Sequence, residues 1–133
     1  MWLFFVGGFV SAVGHYEKPG VIVVRARSRE HLKNFTAAEP SVGRERPPIR
    51  QIVTTPERDY MYRVEMPVAA FLATIEALGS RVVDHHNFKD SCADAGASRL
   101  WKGVLGRVWS LLYDFQGREL VPTTARVRRP SRA

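Results

Sequence analysis

The sequence predicts an α+β domain, a mainly antiparallel sheet with two or three helices packed on one face. A ferredoxin-like arrangement is the neatest topology for its central part. Three observations carry this expectation. The β-favouring runs are joined by short turn signals rather than helical crossovers, segments with apolar residues at three- and four-residue spacing follow them, and 133 residues with 45% apolar content fit one domain with its own core.

The elements follow in order. Trp2 to Val6 and Phe9 to Val13 flank Gly7-Gly8, a pair suited to a tight hairpin because both residues tolerate positive φ. Val21 to Ala26 follows Pro19-Gly20 and completes a meander. Ser28 is placed to cap a short helix through about Phe35, with Leu32 and Phe35 as its apolar contacts. Residues 36–50, with Pro40, Gly43, Pro47 and Pro48, form a loop. Arg50 to Thr55 and Tyr60 to Val64 then make a second hairpin, with Ile52, Tyr60, Tyr62 and Val64 on one face. Pro67 opens and Gly79 closes a helix whose buried face is Val68, Phe71, Leu72, Ile75 and Leu78. Arg81-Val82-Val83 has the composition of a short edge strand, and Asp84 to Gly96 is polar and irregular.

The last helix spans about Ala97 to Leu112. Leu100, Trp101, Val104, Leu105, Val108, Trp109, Leu111 and Leu112 fill one arc, and Arg99, Lys102, Gly103, Gly106, Arg107 and Ser110 fill the other. The two glycines fit either close approach of a partner or phosphate between Lys102 and Arg107, or an ordinary solvated face. The expected domain is residues 1–116, and 117–133 is a flexible basic tail.

Twenty Lys and Arg face 13 Asp and Glu, a net charge of +7, and the excess is local. Residues 25–50 carry +4 and 91–133 carry +5, whereas 1–24 are neutral and 51–90 are slightly acidic. The basic candidates for binding a partner are therefore Arg25, Arg27 and Arg29 at the strand-to-helix junction, Arg44 and Arg46 in the loop, and Lys102 and Arg107 on the last helix. On one face they suit the phosphates of a nucleic acid or an acidic protein surface. Arg25, Arg27 and Arg29 alternate by two, which points them to one side while the strand lasts. Near Tyr60 and Tyr62 such a face suits single-stranded nucleic acid; the same pattern also suits a solvated sheet face.

The densest reactive cluster is His85, His86, Asn87, Lys89, Asp90 and Cys92. It lacks the spacing of a metal site, and neither the thiol nor Ser91 has an identified base, so no catalytic residue, metal or cofactor is assigned. Turn and capping roles for Asn87, Asp90 and Ser91 account for the same residues, and a small enzyme using the His85–Cys92 loop is the alternative. The apolar run at the start lacks a basic leader and is too short to span a membrane, and one cysteine makes no internal disulfide, so a cytoplasmic protein without membrane contact is expected.

Trp2-Leu3-Phe4 with Gly8-Phe9-Val10-Ser11, Val24-Arg25-Ala26-Arg27-Ser28-Arg29-Glu30-His31-Leu32, Asn87-Phe88-Lys89-Asp90-Ser91 and Val108-Trp109 together resemble an uncharacterised family of small bacterial and phage proteins. The resemblance implies a prokaryotic or phage origin and carries no activity. The leading expectation is a small non-enzymatic binding protein, with a phage or mobile-element accessory protein that blocks a host machine as the alternative. A homodimer is compatible with the exposed sheet edge.

Overall fold

The architecture comes from a computed structural model that describes residues 1–46 and 48–120. Strands β1 (Trp2–Phe5) and β2 (Gly8–Gly14) form the first hairpin, with Phe5 opposite Gly8 and Trp2 opposite Ser11. Gly8 is at φ +145, and a Cβ there would meet the His31 ring at 2.3 Å. The glycine pair therefore supplies closeness as well as turn conformation, because the hairpin end sits directly against the following helix.

Strand β3 (Val21–Ala26) pairs with β2, and helix α1 (Arg29–Ala37) follows with Ser28 at its N-cap position. The Ser28 side chain makes no capping bond; its carbonyl accepts Leu32 N–H at 3.4 Å. The second hairpin is shorter than the sequence predicts: β4 is Val53–Thr54 and β5 is Tyr62–Pro67. Tyr60 falls in the turn between them, so the expected alternating face keeps Ile52, Tyr62 and Val64 on the core and loses Tyr60. Helix α2 (Val68–Ser80) begins just after Pro67, which ends the ladder opposite Val21.

All strand pairs are antiparallel and the sheet order is β1-β2-β3-β5-β4. The protein is thus of the α+β class. Because β3 and β4 each run antiparallel to β5, they are parallel to one another with α1 between them in sequence. That is the split β-α-β half of a ferredoxin-like sheet. The place beside β3 that a strand after α2 fills in that fold is here filled by β2, from the other side in sequence.

One sheet face, carrying Phe5, Val10, Ala12, Val24, Ala26, Val64 and Met66, packs on Leu32 and Phe35 of α1 and Phe71 of α2. On α2 the buried stripe is Phe71, Thr74, Ile75 and Leu78, while Val68 and Leu72 are exposed. Thr74 replaces them because its hydroxyl donates to Ala70 O at 2.8 Å, leaving it no unsatisfied polar group to bury.

The segment after α2 departs from expectation twice. Residues 82–84 form a 3-10 turn instead of an edge strand, held by Asp84 N–H to Arg81 O at 3.2 Å and His85 N–H to Val82 O at 2.9 Å. The stretch expected to be irregular contains α3 (Phe88–Asp94). The side chain of Asn87 caps it, accepting from Lys89 N–H at 3.0 Å and Asp90 N–H at 3.3 Å, and Cys92 is its buried anchor.

The chain divides into two compact units, Met1–Ser98 and the part from Arg99 onward. Helix α4 (Arg99–Leu120) belongs to the second. It extends four residues past the expected start of the tail, whose remainder, 121–133, lies outside the described residues. Trp109 and Tyr113 stack along it at 5.3 Å between ring centroids. Among the described residues no helix is long and apolar enough to cross a membrane.

Candidate functional site

Alternation along β3 sends Val24 and Ala26 into the core and Arg25 to the opposite face. In register, Arg25 stands opposite Ser11 of β2 and Arg63 of β5. Its Nη2 donates to Ser11 Oγ at 2.8 Å, while its buried Nε–H has no hydrogen-bond partner among the described residues. Arg27 lies just beyond the strand. The Arg25 and Arg27 guanidinium carbons lie 4.7 Å and 4.4 Å from the centre of the Tyr60 ring.

The turn that presents Tyr60 is held by hydrogen bonds: Tyr60 N–H donates to Asp59 Oδ1 at 2.9 Å, and Thr55 N–H to Met61 O at 2.6 Å. Arg63 donates from Nε to Thr55 Oγ1 at 3.1 Å and has its Nη2 3.9 Å from Asp59 Oδ1. Burial, then the neighbouring Arg58 and Arg25 cations, lower the Arg63 pKa from its ordinary value; Asp59 and Glu57 pull weakly the other way. Neither Arg25 nor Arg27 has a carboxylate within ion-pair distance among the described residues. Arg58 lies 4.0 Å from Glu57 and Arg63 lies 3.9 Å from Asp59, so the uncompensated charge of this cluster is that of Arg25 and Arg27.

The ring at the centre of this cluster is only 3% exposed. Tyr60 is thus covered by the protein's own guanidinium groups, and Tyr62 is half-buried beside the core, so neither ring offers a stacking platform.

The other basic candidates are distributed. Arg29 opens α1 and, with Lys33 and Arg50, borders a separate shallow concavity of about 390 Å³. Arg50 is committed internally: its Nε and Nη2 donate to the two carboxylate oxygens of Glu39 at 2.9 and 2.6 Å, and Glu39 is 6% exposed. Arg44 and Arg46 are exposed in the loop after α1, and Lys102 and Arg107 are exposed on α4. No family model, curated protein or solved structure matches the chain. The resemblance to small bacterial and phage proteins therefore gains no relative.

The His85–Cys92 cluster separates into different roles. His85 is half-buried at the lip of an apolar cleft, His86, Lys89 and Asp90 are exposed, and Asn87 is occupied as a cap. Cys92 is fully buried, and burial pushes its thiol pKa up, which opposes formation of a nucleophilic thiolate. Among the described residues no group of three His, Cys, Asp or Glu is placed to hold a metal ion.

Arg63 and Arg58 are the residues that sequence reasoning missed. They lie in a segment whose net charge is acidic, which hid them in a segment count. The available signal was local: Arg63 alternates with Tyr62 and Val64, so it had to emerge on the face opposite the core.

Proposed function

We propose that the protein is a non-enzymatic binding protein whose arginine-lined sheet face takes the phosphates of a nucleic acid. The observation that carries this reading is the convergence of Arg25 and Arg27 on the Tyr60 ring, with Arg63 directly across the β3–β5 ladder. Like charges held this closely are stabilised by an anion that bridges them, and the planar guanidinium fork suits phosphate oxygens. Because Tyr60 is covered, the contacts fall on the backbone rather than on bases. Binding is therefore expected to be indifferent to sequence and strongly dependent on salt. A cytoplasmic location fits this reading.

Fluorescence anisotropy with labelled single- and double-stranded oligonucleotides tests it. Affinity should fall as salt rises from about 50 to 200 mM, and the Arg25→Gln/Arg27→Gln double variant should lower the log–log salt slope by about 1 to 2. Absence of binding at low salt, or binding indifferent to salt, would sink the proposal. A protein that stays bound after nuclease treatment of a lysate would favour an acidic protein surface instead.

A further inference from the structure

A cleft of about 540 Å³ opens between the β1–β2 turn, α1 and the segment after α2. Every residue lining it belongs to the Met1–Ser98 unit. Its volume is that of a small-molecule site, and its walls are mainly apolar, with Phe4, Phe5, Leu78 and Phe88 among them.

The polar side chains at this cleft are few. Asn34 has its Nδ2 committed to Gly7 O at 2.8 Å. Arg81 and His85 both line the lip, and neither side chain has a hydrogen bond or ion pair among the described residues. No Asp or Glu is among the lining residues. An apolar cavity with an uncompensated guanidinium at its mouth matches a ligand with a flat apolar body and an anionic head. The lip itself supports this: Val82 is 61% exposed and Phe88 is 36% exposed, so apolar surface is held open beside the charge rather than folded into the core.

We propose that this cleft is a binding site for an aromatic carboxylate, with the ring system against Leu78 and Phe88 and the carboxylate paired with Arg81. This site is distinct in residues from the arginine face and stands whether or not that face binds nucleic acid.

The test uses 2-naphthoate as probe and the full chain as protein, with affinity read by isothermal titration and fold integrity by thermal melting. Saturable one-to-one binding is expected. Arg81→Gln should weaken it by at least about tenfold, the scale of a lost charge-assisted hydrogen bond. Gly79→Phe should do the same by narrowing the cleft, because Gly79 is one of its lining residues, and a Cβ there meets no atom within 4 Å, so the substitution is tolerated by the fold. The neutral analogue 2-naphthalenemethanol should bind at least about tenfold more weakly than the acid. Leu112→Ser, on the exposed apolar surface of α4, should leave the affinity unchanged, which separates the cleft from nonspecific adsorption. Arg25→Gln should also leave it unchanged. The proposal is overturned if there is no saturable binding at about 1 mM probe, if the alcohol binds as tightly as the acid, or if Arg81→Gln and Gly79→Phe proteins that melt normally retain full affinity.

Discussion

Arg50 and Arg25 come from the same basic stretch of sequence, and the fold treats them in opposite ways. Arg50 meets Glu39 through two short hydrogen bonds, with Glu39 almost fully buried, and this pair fastens the end of α1 to the chain returning from the loop. The Glu39 hydrogen bond raises the Arg50 pKa against the opposing effect of burial. Arg25 meets a serine hydroxyl, the face of Tyr60 and, across the ladder, another arginine. One guanidinium is spent on holding the fold together and the other is left with capacity to spare. Counting charges along the chain treats the two as equal; only the second kind leaves positive charge uncompensated by a carboxylate.

The largest effect should come from breaking the spent pair. Arg50→Ala leaves the Glu39 carboxylate buried without its partner and should destabilise the Met1–Ser98 unit by about 3 kcal/mol. Differential scanning calorimetry should show a fall in Tm on the order of 10 °C, with the change persisting in high salt. A loss under about 0.5 kcal/mol would place Arg50 among the surface charges after all.

Arg27→Gln should have the reverse profile. It removes one guanidinium from an exposed position over Tyr60, so stability should drop by only about 0.5 to 1 kcal/mol. Affinity for oligonucleotides should fall several-fold at low salt, and the difference from the parent protein should shrink as salt is raised. Equal loss of stability and binding would erase the distinction between the two kinds of arginine.

His31 adds a third fate for a basic side chain, suppression of its charge. Burial lowers its pKa, against a smaller opposing pull from Glu30, and its Nδ1 accepts from Phe9 N–H at 3.4 Å. The unfolded chain therefore binds the proton more readily. Stability contributed by the neutral ring is full above the unfolded value of about 6.5 and is lost as pH falls below it through the lowered folded value. Thermal melts between about pH 7.5 and 5.5 should show a falling Tm, and His31→Asn should flatten that dependence. A parent protein whose Tm does not move in this range contradicts the assignment.

The smallest effect sharpens the status of Lys102 and Arg107. A Cβ at Gly103 or Gly106 meets no atom within 4 Å. Gly103→Ala and Gly106→Ala should each stabilise α4 by up to about 1 kcal/mol, read as increased helicity and Tm. Unchanged oligonucleotide affinity would mean that no phosphate needs close approach there, whereas a selective loss of affinity would bring this helix into the binding surface.

The α+β class, the two hairpins, and helices α1 and α2 were legible because their signals are local: Gly7-Gly8, Pro19-Gly20, and apolar residues at helical spacing. What was not legible depends on neighbours distant in sequence. Tyr60 looks like one more member of an alternating strand face until the turn and the two arginines are placed around it. Thr74 looks polar until its hydroxyl bonds backward to Ala70. Val82 and Val83 have strand composition, but the place beside β3 is already taken by β2, and Arg81 to His85 turn on themselves instead. Arg25 and Arg27 were visible as an alternating pair, and the side on which Arg63 emerges was readable from its own alternation, but its place directly beside Arg25 depends on the β3–β5 pairing.

The topology has a further consequence for the segment after α2. In a ferredoxin-like sheet the chain there must return as a strand, with its length and alternation set by a ladder. Here β2 already occupies that place beside β3. Residues 81–87 are released from any register: adding or removing one of them slips no strand and turns no side chain to the wrong face. The lip of the cleft is therefore the part of this unit whose length can vary without disturbing the sheet beneath it, so the shape of the site and the stability of its support can change independently.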